Sequence, residues 1–302
     1  MTQIPLSEPN WDLYRSFLSV LEEGSLSGAA RALALTQPTL GRHIDTLEQA
    51  LGLTLFTRSQ LGFIPTEAAL ALQPYAQNLA STATALLRVA SSQGTGVRGT
   101  VRISASPIIG VEVLPPILAN LRKTHSELVV ELTLSNRIED LLRREADIAV
   151  RMVRPSQDAL IARRIGDIEL GLHAQRGYLE HHGTPTTWLE LGAHSLIGFD
   201  RENAFIHSMK KSLNGFTREQ FALRTDSDLA QLAAIRAGYG LGICQVRLAE
   251  RDPGLVRVMH TEVSLKLDTW IAMHENLRES PRCSVAFAAL VQGLHQYIEG
   301  AP

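Results

Sequence analysis

The sequence predicts an α/β protein in three parts: a small helical head containing a helix-turn-helix, a long amphipathic helix, and two α/β lobes with a cleft between them. Three observations carry this expectation. Two short helical patterns joined by a turn occur before residue 50, one apolar stripe runs from Thr66 to about Ala90, and strand and helix patterns alternate from Gly99 onward. At 302 residues, 45% hydrophobic and 20% charged, the chain has material for two or three domains with a sizeable core.

In the head, Leu13, Phe17, Leu18 and Leu21 recur at helical spacing before Glu22-Glu23-Gly24 closes the first helix. Ser25 and Ser27 offer caps for a second, short helix over about Ser27 to Leu33, where Ala29 and Ala30 let a neighbour approach closely. Thr36 caps a third helix that opens on Gln37-Pro38, because a first-turn proline lacks only an amide proton that would have no helical partner. Leu40, Ile44 and Leu47 face inward, which turns Gln37, Pro38, Thr39, Gly41, Arg42, His43 and Asp45 outward to varying degrees. Polar side chains near the start of the second of two small helices are the pattern of a helix-turn-helix that reads duplex DNA. Arginine reaches guanine and glutamine reaches adenine with paired hydrogen bonds, so Gln37 and Arg42 lead the candidates for base contact, with Thr39 and His43 beside them.

Leu70, Leu72, Tyr75, Ala76, Leu79, Ala83, Leu86, Leu87 and Ala90 form one wide apolar stripe that needs a partner. It stops in Ser91-Ser92-Gln93-Gly94-Thr95-Gly96, a flexible joint. Beyond it the patterns predict strands at Val101–Ser104, Val129–Leu134, Ile148–Arg151, Ile161–Ala174, Ser195–Phe199, Phe221–Thr225, Leu241–Cys244, Leu255–Met259 and Leu267–Met273. Helices are predicted at Glu112–Lys123, Glu139–Arg144 and Ser284–Ile298. This is too many strands for one small sheet, so two α/β lobes are expected. Ligands of such lobes bind beyond the carboxyl ends of strands, which singles out Ser104, Ser106 and Pro107 after the first strand and Ser135 and Asn136 after the second. Arg151 ends the third, and Phe199, Asp200, Thr225, Asp226 and Ser227 reach across from the second lobe. Hydroxyls and helix amides there suit a small anion such as a carboxylate. Ser106 leads this set, because Pro107 removes the neighbouring backbone donor.

Lysine and arginine number 29 against 31 acidic residues, a net charge of −2, so any nucleic-acid surface must be local. Two cysteines, Cys244 and Cys283, are too few for a disulfide scaffold or a four-cysteine zinc site, and a reducing cytoplasm is the expected setting. The first ten residues lack a basic segment and no run of ~18 apolar residues occurs, so neither a signal peptide nor a membrane span is expected. Gly238, Gly240 and Gly242 follow a helical stretch and precede a strand, the reverse of a dinucleotide-binding turn, and read as a helix stop with a tight turn. His173, His181 and His182 lack metal-ligand spacing and are expected at the surface. No nucleophile elbow, phosphate loop, zinc-protease motif or catalytic-cysteine signature occurs, so neither catalysis nor a metal or organic cofactor is expected.

Gly24-Ser25-Leu26, Ala29-Ala30-Arg31-Ala32-Leu33, Thr36-Gln37-Pro38-Thr39-Leu40, Leu47-Glu48, Leu55-Phe56-Thr57-Arg58 and Pro65-Thr66-Glu67-Ala68 together resemble the winged helix-turn-helix of the LysR-type transcriptional regulators. The remainder resembles the same family through Leu114-Pro115-Pro116, Ala146-Asp147-Ile148-Ala149-Val150-Arg151 and Ala237-Gly238-Tyr239-Gly240-Leu241-Gly242-Ile243. The resemblance implies a winged DNA-binding head over residues 1–66 and a linker helix and hinge over 67–98 that pairs with its twin. It also implies an effector domain over 99–302, similar to periplasmic solute-binding proteins. Within that domain, lobe one takes 99–161 and 267–302 and lobe two takes 162–266. The implied partners are double-stranded DNA, a small-molecule effector held between the lobes, and further copies of the chain, a homodimer assembling to a homotetramer. Ser27, Thr36, Gln37, Pro38, Thr39, Gly41, Arg42 and His43 fall among the implied DNA-facing positions, and Arg58 leads into the wing. Gly41 stands where the family often has serine. From Met1 to Thr66 four arginines face six carboxylates, a net charge of −2, so each head must rely on placement, on helix amides and on joint action with other heads.

Overall fold

The computed structural model describes residues 8–59, 62–91, 96–136, 146–155, 160–201 and 217–300. The chain divides into two compact units, the first ending at Val89 and the second beginning at Ala90.

In the first unit, α1 (Trp11–Glu23) ends where Gly24 takes a left-handed conformation, φ 64°, and its N–H bonds Val20 O. The second helix, α2 (Leu26–Ala32), is capped by Ser25, whose Oγ accepts the Gly28 N–H; Ser27 lies inside the helix rather than at its cap. Helix α3 (Gln37–Leu51) is capped by Thr36 as expected and stops at Gly52. A hairpin of β1 (Phe56–Ser59) and β2 (Gly62–Pro65) forms the wing. Phe63 N–H bonds Gly24 O, and a Cβ at Gly62 would lie 2.8 Å from that same carbonyl, so glycine lets the wing reach the α1–α2 turn. The core collects Phe17, Leu40, Ile44, Leu47, Leu55 and Phe56. Helix α4 (Glu67–Ser91) is capped by Thr66 Oγ1, which accepts the Ala69 N–H, and it continues through Pro74.

The expected single stripe on α4 is two faces. Ala69, Leu72, Ala76 and Ala80, at steps of three and four, pack on the head's own core. Tyr75, Leu79 and Leu86 follow a second line at steps of four and seven and are exposed, as are Leu70 and Leu87.

Contrary to the expectation from strand number, the second unit is one mixed sheet in the order β4-β3-β5-β11-β6-β9-β7-β8, with β10 also on β6, because one long antiparallel pair bridges its two parallel groups. Strands β3 (Gly99–Ala105), β4 (Leu128–Leu134) and β5 (Ile148–Arg151) are parallel. Strands β7 (Leu196–Gly198), β8 (Phe221–Arg224) and β9 (Leu241–Gln245) form a second parallel group. The long antiparallel pair β6 (Leu160–Gln175) and β11 (Ser264–His274) joins the groups, while β10 (Leu255–Val258) adds to β6. The register of that pair shifts between Thr269 and Trp270, opposite Gly166 at φ 150°. Arg164 spans the shift with ion pairs to Asp167 and, at 2.6 Å, Asp268, whose other oxygen accepts Trp270 Nε1–H at 2.7 Å.

Helix α5 (Leu114–Thr124) is preceded by a wider π turn at Ile109–Val113, so helical structure starts earlier than the predicted Glu112. Helices α6 (Arg176–His182), α7 (Asp228–Arg236), α8 (Val246–Ala249) and α9 (Pro281–Glu299) complete the unit. The predicted helix at Glu139–Arg144 lies outside the described residues. Gly238, at φ 77°, follows α7 as the predicted helix stop, and a Cβ at Gly240 would meet Ser195 O at 2.0 Å, so that glycine marks a close approach. Both cysteines are buried and neither forms a disulfide. His173 departs from its expected surface position. It is 2% exposed in β6, bonds Gly171 O through Nδ1, and burial lowers its pKa.

Candidate functional site

Two surfaces collect the singled-out residues, one on each unit. On the first, Leu40, Ile44 and Leu47 bury one face of α3 and thereby present Gln37, Pro38 and Arg42 to solvent. Neither the Gln37 nor the Arg42 side chain has a hydrogen-bond partner among the described residues. Thr36 and Thr39 are engaged with one another: Thr36 Oγ1 accepts the Thr39 N–H at 3.3 Å and lies 2.8 Å from Thr39 Oγ1, so both hydroxyls take part in capping. His43, expected outward, turns back toward α1, where its Nδ1 is hydrogen-bonded to Ser16 Oγ at 2.8 Å. Ser16 is buried, so this bond fixes the roll of α3 against α1.

Ser27 is exposed on α2. Arg58 lies in β1 across from Phe63. Glu48, noted in the sequence only as part of the motif, ties α3 to the wing, its Oε1 accepting the N–H groups of Leu55 at 2.6 Å and Phe56 at 3.2 Å. A Cβ on Gly41 would meet only Leu26 Cδ1 at 3.9 Å, so no neighbour demands glycine there. Gly41→Ala is therefore expected to stabilise the head by about 0.5–1 kcal/mol, the usual cost of glycine inside a helix. A higher melting temperature in a thermal scan checks it.

On the second unit a cavity of about 380 Å³ lies against the carboxyl ends of both parallel strand groups. Its wall includes Ser106 beyond β3, Asn136 beyond β4, Arg151 at the end of β5, Phe199 and Asp200 beyond β7, and Asp226 beyond β8. Ser104, Pro107, Ser135, Thr225 and Ser227 are not in it. Most of these serve the scaffold. Ser104 Oγ accepts from Arg151 Nη2 at 2.8 Å, Ser227 Oγ caps α7 through the Ala230 N–H, and Thr225 Oγ1 accepts the Ser227 N–H.

Ser106 differs. It is 6% exposed, and its Oγ is buried without a hydrogen-bond partner while the residue lines the cavity. Its carbonyl accepts the Gly110 N–H, so backbone geometry fixes the residue at the helix start. Arg151 is buried and donates to the carbonyls of Ser104 at 3.1 Å and Val150 at 2.9 Å. Across the cavity, Asp226 Oδ1 accepts the N–H groups of Asp200 and Arg201, and Arg218 donates to Asp200.

Sequence reasoning missed Asp228, Gln231, Cys244 and Gln245 in the wall, and the large apolar share of it. Burial raises the pKa of Asp228. Burial also pushes the Cys244 thiol up to about 12, so this group lines the cavity as an apolar thiol rather than a nucleophile. No cluster of metal-ligating side chains occurs among the described residues. No helix of the described residues is long and apolar enough to cross a membrane.

The described chain thus carries a winged helix-turn-helix head and a two-lobed α/β module with a cavity of ligand size. The family described as bacterial regulatory helix-turn-helix protein, lysR family, matches residues 11–70, and LysR substrate binding domain matches residues 94–295. The chain belongs to the LysR family of transcriptional regulators.

An HTH-type transcriptional regulator of Xanthomonas campestris is 28% identical over 192 residues, 64% of this chain and 56% of that protein, so the match spans little more than half of that relative. The Escherichia coli regulator PgrR is 28% identical over 257 residues, 81% of this chain and 84% of PgrR. Among solved structures, full-length CbnR in complex with its target DNA superposes with a TM-score of 0.68 at 21% identity, covering 94% of this chain and 99% of that one.

Proposed function

We propose that the protein acts in the cytoplasm as a regulator without catalytic activity of its own. In this reading the start of α3 enters the major groove of duplex DNA with Gln37, Pro38, Thr39 and Arg42, and the wing with Arg58 meets the phosphate backbone. The exposed line of Tyr75, Leu79 and Leu86 on α4 pairs with the same line of a second copy, and dimers assemble to tetramers, so that weak heads act together. The effector, an anion such as a carboxylate, sits between lobe one (99–161 and 267–302) and lobe two (162–266), with β6 and β11 as the connecting strands. It changes DNA occupancy because it favours one arrangement of the lobes over another.

The observation that carries the effector reading is Ser106 Oγ, a buried hydroxyl without a partner at the wall of a ligand-sized cavity. Such a group is costly unless something enters to bond it. The test is a screen of small carboxylates by thermal shift on the full chain, followed by calorimetric titration of the best binder. Ser106→Ala is expected to weaken that binder about tenfold, ~1.4 kcal/mol for one lost hydrogen bond. Wild-type affinity in this variant and in Arg151→Lys would place the ligand elsewhere.

A further inference from the structure

The cavity is not confined to the polar rim where the strands end. Leu172, Leu191, Leu196, Leu241 and Val263 line it and also belong to the hydrophobic core of lobe two. Part of the cavity wall is therefore that core itself, and these five side chains offer hydrocarbon with no hydrogen-bonding group. Water gains little in such a recess, since it needs two or more polar partners, whereas an apolar group gains roughly 25 cal/mol for each Å² it removes from water.

Charge limits the occupant from the other side. Among the described residues the wall carries three arginines, Arg151, Arg201 and Arg218, and three aspartates, Asp200, Asp226 and Asp228. Arg218 pairs with Asp200, and Arg201 lies 3.9 Å from Asp226. By formal charge the wall is balanced, so it offers no excess of positive charge to compensate a ligand with several negative charges. One hydrogen-bonding head suffices for Ser106 Oγ.

We propose that the effector is a monocarboxylate with an apolar ring or branched aliphatic body, its head at Ser106 and its body in the lobe-two recess. The proposal rests on the reading of the cleft as the effector site and specifies what that site takes.

The test uses the full chain and five probes, phenylacetate, 4-methylpentanoate, acetate, succinate and citrate, titrated calorimetrically against wild type and three variants. Ile243 in β9 and Val263, just before β11, both line the cavity, so Ile243→Trp and Val263→Phe fill the recess from two places, and Ser106→Ala removes the polar anchor. Phenylacetate or 4-methylpentanoate is expected to bind at least tenfold more tightly than acetate, succinate or citrate, and each filling variant to cut that affinity tenfold or more. Having two filling variants keeps the test intact should one fail to fold.

Tighter binding of succinate or citrate that depends on Ser106 but ignores both filling variants would overturn the apolar body while leaving the cleft as the effector site. Binding indifferent to all three variants would overturn both. Failure of both apolar monocarboxylates to bind at millimolar concentration would overturn the proposed ligand class.

Discussion

Leu79→Asp is expected to dissociate the dimer and abolish specific duplex binding while leaving the monomer folded. Leu79 is 48% exposed on α4, outside the group of Ala69, Leu72, Ala76 and Ala80 that packs on the head. An aspartate there stays hydrated in the monomer and costs little. In the dimer both copies lose a buried leucine, each worth about 1.5–3 kcal/mol, and both bury a carboxylate without a partner. The dissociation constant should rise by at least about two powers of ten. Duplex binding is expected to fall with it, because in the proposed dimer a head of net charge −2 acts jointly with its twin. Sedimentation at micromolar concentration reads the mass directly. A folded variant that keeps the parent's mass would show that the exposed line of α4 does not form the seam.

Arg42→Ala is expected to weaken specific duplex binding by about 1–3 kcal/mol, roughly five- to more than a hundredfold, with an unchanged melting temperature. The side chain is exposed and has no partner among the described residues, so its removal leaves Leu40, Ile44 and Leu47 in place. Titration at fixed salt against single-base variants of the site separates two roles. A base contact relaxes specificity at one position, whereas a phosphate contact weakens all sequences alike and lowers the salt slope by about one. Affinity equal to wild type would remove Arg42 from the interface.

The head was legible in its sequence because its signals are local. Thr36 before Gln37-Pro38 marks a helix start, and Leu40, Ile44 and Leu47 keep the helical period. The roll of His43 toward Ser16 was not legible, since the partner lies 27 residues away and nothing in a single sequence links them. The same holds for Glu48, whose bonds to Leu55 and Phe56 look from the sequence like an ordinary charged helix face.

On α4 one stripe proved to be two, because alanines packed on the head and leucines left exposed share nearly one period. In the second unit the strand ends were legible and brought Ser106, Asn136, Arg151, Asp200 and Asp226 to one cavity. Its apolar recess was not, because a leucine facing a void and a leucine filling a core occupy identical positions in a strand pattern. The shift at Gly166 was equally silent, since β6 is long enough to read as one continuous strand.

If α3 reads duplex DNA in paired heads, the full-length protein must select a two-part site. Selection of bound duplexes from a random pool by the full-length protein, followed by footprinting of the recovered sequences, tests it most directly. Recovered sites are expected to carry two symmetry-related half-sites separated by whole helical turns, about 10–10.5 base pairs each, with the enrichment lost in Gln37→Ala/Arg42→Ala. A pool no different from its starting composition, or the same enriched sequence recovered by that double variant, would contradict it.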